Sequence, residues 1–247
     1  MSDMARSTTA GLIVIGNEIL SGKVEDTNSP FLARQLRAAG VSLERIIVIP
    51  DDLDVIAPTV RDYSGAYDLV FTSGGVGPTH DDVTIAGVAR GLGRQVVRHP
   101  DLEKALREFF AGKVSEARLR LADVVEGTQL VHDGNVRFPT FLVENIYILP
   151  GIPEIFRDKV VAIRHRFATD PFHLRIVYVR EQETAIAESL HQTLAAYPDL
   201  LLGSYPKLNN PEYKVRLTLE SKDSDYLDRA LRKLLELLPP NAVVRQE

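Results

Sequence analysis

The chain has 247 residues, 45% of them apolar and 26% charged, and a formal net charge of -5, which is room for one large domain or two modest ones of ordinary globular composition. The negative balance argues against nucleic acid as the main partner, and the lack of any cysteine removes disulfides and thiolate metal sites. No apolar run reaches membrane-span length and the first ten residues lack a charged-then-apolar leader, so the chain is read as cytoplasmic, with no membrane partner.

The first element is "AGLIVIG", Ala10 to Gly16, a continuous apolar run that reads as a buried strand. "DTNSPFLARQLRAAG" follows as a helix: Asp26, Thr27 and Asn28 all have N-cap chemistry, Pro30 suits a first turn, Gly40 suits the C-terminal end, and Phe31, Leu32, Leu36 and Ala39 share a face. "LERIIVIP" is the second strand, "DVIAPTVRDYSG" a helix with Pro58 in its first turn, and "YDLVFTSGG" the third strand. "DDVTIAGVARGLG" reads as the next helix, with its acids at the positive end of the dipole. A charged helical stretch, "DLEKALREFFAGKVSEARLRLADV", precedes three short strands, "TQLVHD", "PTFLVE" and "NIYILPG", and the helix "IPEIFRDKVVAIRHRF", with Pro153 in its first turn.

The pattern restarts around "ATDPF", Ala168 to Phe172. "HLRIVYVR", "DLLLGSYP", "EYKVRLTLES" and "AVVRQE" read as strands, with helices in "EQETAIAESLHQTLAAYP" and "DSDYLDRALRKLLELLP". The order βαββαβ is that of a ferredoxin-like unit. The expected domains are 1–170, an α/β doubly wound sheet, and 171–247, a small α+β domain whose role is read as dimerisation or shaping of the cleft.

Doubly wound sheets place ligands at the carboxyl ends of their strands. Three such ends carry chemistry: "GNEILSG", "PDD" and "SGGVGPTHDD". In the last, a glycine-rich turn lets backbone N–H groups approach an anion, and a following helix adds its dipole. Ser73, Gly74, Gly75, Gly77 and Thr79 therefore suit a phosphate or pyrophosphate. The adjacent acids Asp81 and Asp82 would repel a bare anion, and make sense with a hard divalent cation between carboxylate and phosphate. Each stretch also has a purely structural reading: Gly-Gly-x-Gly-Pro is a turn, and Asp51-Asp52 and Asp81-Asp82 are helix caps. Asn28 is read as a cap that can touch ligand, His80 as a solvent-accessible loop residue, and Lys23 as an exposed cation within reach of a phosphate. His132, His165, His173 and His191 lack metal-ligand spacing. Ser21 and Ser73 have no base placed to activate them, and Walker A residues are absent.

"GLIVIGNEILSGKVEDTN", "IPDD", "TSGGVGPTHDDVT" and "YILPGIPEIF" occur in order, and together they resemble the molybdopterin-binding (MoaB/MogA-like) domain, from about Thr9 to Phe167. The branch is similar to the N-terminal domain of competence/damage-inducible CinA proteins and to the matching domain of eukaryotic FAD synthase. "LLLGSYP" resembles part of the second domain that follows in CinA proteins. The resemblance implies a three-layer αβα fold. It implies functional carboxylates at Asp51 and Asp82 in the molybdopterin-handling relatives. In the CinA and FAD-synthase branch it implies metal-dependent hydrolysis of FAD or ADP-ribose, with Glu18, Asp81 and Asp82 at metal or phosphate. Two departures stand out. Asn17 replaces an Asp common in relatives. "HDGNVRFPTFLVEN" replaces the Asn-x-x-Gly-Thr-Ala-Pro-Gly loop of CinA proteins and looks more like the FAD-synthase domain, which leans the substrate toward FAD or another dinucleotide.

The expected function is thus a metal-dependent nucleotide pyrophosphatase acting on FAD or ADP-ribose. Magnesium, manganese or cobalt would be held by Glu18, Asp81 and Asp82. The phosphates would lie over Ser73, Gly74, Gly75, Gly77 and Thr79 with Asn28 nearby, and Asp51 and Asp82 would be catalytic. The alternatives are molybdopterin binding with adenylyl transfer, and a non-catalytic ligand-binding or assembly module. A homo-oligomer, a dimer first, is the expected assembly.

Overall fold

The computed structural model describes residues 8–111, 113–134 and 138–247; positions 135–137 of "HDGNVRFPTFLVEN", Gly112 of the charged stretch and the first seven residues lie outside the described residues. By its contacts the chain divides into two compact units, 1–169 and 170–247.

In the first unit, β1 (Thr9–Ile15) leads into a one-turn helix α1 (Asn17–Leu20) and then α2 (Asn28–Ala38). β2 (Ser42–Ile49), α3 (Leu53–Ala66), β3 (Leu69–Ser73) and α4 (Thr84–Gly91) follow. Then come β4 (Val96–Arg98), α5 (Pro100–Phe109), the one-turn α6 (Glu116–Leu119), β5 (Asp123–Val125), β6 (Gln129–Val131), β7 (Thr140–Val143), β8 (Ile146–Leu149) and α7 (Pro153–Ile163). Six strands form one sheet in the order β2-β1-β3-β8-β7-β6. β2, β1, β3 and β8 run parallel, β7 runs antiparallel to β8, and β6 antiparallel to β7.

Every residue of β1 is buried, because the sheet is covered on both faces, which is what a continuous apolar run requires. Alternation sorts its side chains: Ala10, Leu12 and Val14 join Leu32 and Leu36 of α2 and Phe156 and Val160 of α7 in one core. Ile13 and Ile15 join Ile56 and Val60 of α3 and Val88 of α4 in the other. This is a three-layer αβα arrangement, as the resemblance implies.

Three local expectations are corrected. α4 begins at Thr84 with Val83 at its N-cap, so Asp81 and Asp82 belong to the loop before the helix and not to its first turn. Pro58 lies in the second turn of α3, where its ring removes one internal hydrogen bond. The charged stretch is broken into α5 and α6 and ends in β5, which pairs with β4 ahead of the stretch as a short ribbon, for which the sequence has no long alternating pattern.

In the second unit β9 (His173–Val179), α8 (Glu183–Ala196), β10 (Leu201–Pro206), β11 (Val215–Ser221), α9 (Ser224–Leu237) and β12 (Val243–Gln246) appear in the order βαββαβ. The sheet order β10-β11-β9-β12, all antiparallel, is ferredoxin-like. β11 alternates buried and half-buried residues along its length. Its Val215, Leu217 and Leu219 meet Ile186 of α8 and Leu227, Ala230 and Leu234 of α9.

Phe71 is fully buried, stacked on Tyr147 at 5.3 Å and edge-on to Phe167 at 5.5 Å. Phe71→Ala is expected to cost about 3–5 kcal/mol in urea unfolding followed by circular dichroism. A loss below about 1 kcal/mol would show that this core relaxes around the gap.

Candidate functional site

The strand register decides which loops meet. Ile15 pairs with Ile49, Val14 with Ser73, and Ser73 with Leu149. The loops after β1, β2, β3 and β8 therefore leave one edge of the sheet side by side. Three of these are the chemically loaded strand ends of the sequence. The fourth, Pro150-Gly151-Ile152, carries no ionisable group and gave no such signal.

Side chains then tie the loops in pairs. Gly16 N–H donates to the Ile49 carbonyl at 3.1 Å, and Asn17 N–H to Asp51 Oδ2 at 2.7 Å. Asp51 thus fixes the start of the Asn17-Glu18 turn, while Asp52 caps α3 through Asp54 N–H at 2.8 Å. Asn28 Nδ2 donates to Ser73 Oγ at 3.0 Å and to the Gly151 carbonyl at 2.9 Å. Asn28 is not the cap of its own helix: Asp26 Oδ1 accepts from the N–H groups of Asn28 and Ser29, and Asp26 Oδ2 from the Ser29 hydroxyl. Asn28 Oδ1 is buried without a partner among the described residues, a cost of about 1–3 kcal/mol. Ser73 is also buried, so its hydroxyl holds the turn and does not face solvent.

The glycine turn is folded tightly against the strands. Gly74 has φ +103° and Gly75 φ +62°, and a Cβ on Gly74 would lie 2.1 Å from the Ile15 carbonyl oxygen. Thr84 closes the turn from below: its hydroxyl donates to the Gly74 carbonyl at 2.7 Å and its N–H to the Gly75 carbonyl at 3.1 Å. With Gly74 N–H on the Leu149 carbonyl at 3.3 Å, the N–H groups of Gly75, Val76 and Gly77 are left with no acceptor among the described residues. Successive free amides after left-handed residues form an anion-binding concavity.

The acids stand around this turn in different states. Thr79 N–H donates to Asp82 Oδ2 at 2.8 Å and the Thr79 hydroxyl donates to the same oxygen, which orients Asp82 and leaves Oδ1 free of those contacts. Asp81 is exposed, and Thr79 first, then its own backbone N–H, holds its carboxyl below the usual range. His80 is exposed and 3.9 Å from Asp81, and Lys23 is exposed in the first loop.

Two clefts flank the turn. One, of about 80 Å³, is bordered by Glu18, Asp26, Asn28, Ser73, Gly74 and Gly151. The other, of about 140 Å³, is bordered by Gly75, Gly77, Asp82, Asp123, Arg120 and Lys159 over an apolar floor that includes Phe141 and Ile148. Glu18 and Asp82 therefore open into different clefts. No three His, Asp or Glu side chains among the described residues come together as a metal cage. The donor set fits a cation that brings phosphate and water ligands with it, since magnesium binds to one or two carboxylates plus substrate oxygens.

Thr84, Gly151, Arg120 and Lys159 escaped the sequence reading. Lys159 had a usable signal: it falls at an apolar position of α7, between Phe156, Val160 and Ile163. It is buried, donates to the Phe138 and Pro139 carbonyls at 2.7 and 2.6 Å, and is pushed down to about 8 by burial.

Residues 11–167 match the family described as "Probable molybdopterin binding domain", and residues 171–247 match "FAD synthase, middle domain". A protein of Archaeoglobus fulgidus is 36% identical, over 92% of this chain and 96% of its own length. A "Probable FAD synthase" of Caenorhabditis elegans is 32% identical over 97% of this chain. The chain spans about half of that relative, 52% of its length. The crystal structure of the protein CinA from Thermoplasma acidophilum, of unknown function, aligns with a TM-score of 0.60 and 28% identity, over 65% of this chain and 98% of its own. No described helix is long and apolar enough to cross a membrane.

Lys159 makes a pH prediction. Below pH 8 the amine is charged in both folded and unfolded chains, and folding bears the burial cost. Between about 8 and the ordinary 10.5 the folded chain sheds a proton that the unfolded chain still holds. Stability from this group therefore rises with pH through that window, by on the order of 3 kcal/mol at full extent. Chemical denaturation at pH 7.5 and 9.5 should show Lys159→Met losing that gain relative to the parent chain; equal pH slopes would contradict it.

Proposed function

The chain belongs to the family of probable molybdopterin binding domains, and from that premise we propose that it is a metal-dependent nucleotide pyrophosphatase acting on a dinucleotide-type diphosphate, FAD or ADP-ribose. The observation that carries this is the run of unpaired N–H groups at Gly75, Val76 and Gly77, beside two carboxylates and at a shared edge of four strand ends. Amides without acceptors suit phosphate oxygens, and adjacent acids suit the cation that phosphates carry. The match of residues 171–247 to the FAD synthase middle domain supports a flavin dinucleotide over ADP-ribose.

In this reading the free amides hold one phosphate against the turn. Asp81 and Asp82 would hold the divalent ion, whose contribution when bound is to polarise a phosphoryl oxygen and acidify water. Thr79 keeps Asp82 turned toward the turn. Asp51 works by fixing the Asn17-Glu18 loop, and is a positioning residue through that bond; its role as a base for the attacking water is kept as the alternative. Water oxygen bonds to phosphorus, the bridging P–O bond breaks, and two monophosphates leave. Positioning and charge neutralisation supply most of the rate.

A second reading is molybdopterin binding, which the family description favours, with adenylyl transfer as its reaction. The same amides would hold the pterin phosphate, with its flat ring on the apolar floor. Recovery of a pterin with the purified protein would favour it.

Purified protein incubated with FAD, ADP-ribose or NAD and magnesium, manganese or cobalt is expected to release nucleoside monophosphate, and EDTA to stop it. Thr79→Val should lower the rate about 10–100-fold, as loss of a group that orients a ligand does, and Asp82→Ala should lower it further. Folded protein that is silent with every pair, or an unchanged rate in Asp82→Ala, would overturn the proposal.

A further inference from the structure

The cleft beyond the glycine turn has a charge arrangement that hydrolysis at the turn does not use. Of its acids, Asp123 is paired with Arg98, whose Nε donates at 2.9 Å, and Asp82 accepts from the neutral Thr79 and keeps its charge for a cation. Its own cations have no ion pair among the described residues. Lys159 is buried and, among the described residues, its ammonium donates to the neutral carbonyls of Phe138 and Pro139, which uses two of its three N–H donors. Arg120 is exposed and has no ion pair among the described residues.

We propose that Lys159 and Arg120 form a second anion site, which takes the outer phosphate of a nucleoside diphosphate whose inner phosphate lies on the free amides of Gly75, Val76 and Gly77. The inference rests on the reading that those amides hold a phosphate, and it names the two cations that select a diphosphate over a monophosphate. A buried ammonium without a counter-ion is costly, and an arriving phosphate supplies one. The apolar side chains of the same cleft, Phe141 and Ile148 among them, shield the pair from water and strengthen it. Arg120 is able to grip a phosphate bidentately from the solvent side while Lys159 meets it from the floor.

The test is calorimetric titration of the full chain with AMP and with ADP, both in the same saturating magnesium, so that Asp81 and Asp82 repel neither anion. ADP is expected to bind the parent chain about tenfold tighter than AMP. In Arg120→Gln and in Lys159→Met that preference should shrink several-fold while AMP affinity stays within about twofold of the parent. Arg120 is exposed and holds no packing position, so Arg120→Gln decides the matter even if Lys159→Met fails to fold. An ADP preference that survives unchanged in Arg120→Gln and in any folded Lys159→Met overturns the second anion site and leaves the phosphate on the turn intact. A parent chain that binds neither nucleotide overturns the phosphate reading itself, and the second site with it.

Discussion

The contact between Gly74 and the end of β1 governs the site. The turn after β3 passes so close to the Ile15 carbonyl that a Cβ there would sit 2.1 Å from its oxygen. Only a residue without a side chain, at a positive φ, permits that approach. Because the backbone turns there, Gly74 N–H still reaches β8, the Gly74 and Gly75 carbonyls accept from Thr84, and the next three N–H groups have no acceptor among the described residues. The buried Asn28 amide, bonded to Ser73 and to Gly151, holds the turn from the other side. Asn28 Oδ1, without a partner among the described residues, is a local cost carried by the two packed cores on either face of the sheet.

The turn also divides the surface chemistry. Toward Glu18 and Asp26 the cleft is acidic; toward Arg120 and Lys159 it carries both signs, with Asp82 and Asp123 beside the two cations, over an apolar floor. An elongated ligand with an anionic centre would be asked for different chemistry at its two ends. That polarity comes from topology: the first cleft is made by the β1 loop and α2, the second by α7 and the segment around β5.

Much of the fold was legible because both faces of the first sheet are covered. Continuous runs such as "LIVI" and "LVFTS" leave no reading except a buried strand, and β11 alternates so regularly that its inner face is plain. The sequence was silent where structure is short or set by distant partners. β4 and β5 are three residues each and pair across the intervening helices α5 and α6. α1 is a single turn whose first N–H is held by Asp51, 34 positions away. The glycine turn announced itself by composition, but the work of Asn28 and Asp51 did not, since cap-type residues beside a helix look alike whether they bond locally or across the fold. Lys159 was visible only as a charge out of place in an apolar stripe.

The central claim is that a diphosphate lies on the free amides of the turn, with its cation at Asp81 and Asp82. A crystal structure of the chain with manganese and a non-hydrolysable dinucleotide diphosphate tests it most directly, because the metal's anomalous signal and the phosphate density locate both at once. The account predicts phosphate oxygens within hydrogen-bond reach of the Gly75, Val76 and Gly77 N–H groups, and manganese beside Asp81 or Asp82. A diphosphate bound elsewhere, or manganese absent from both carboxylates with ligand in place, would contradict it.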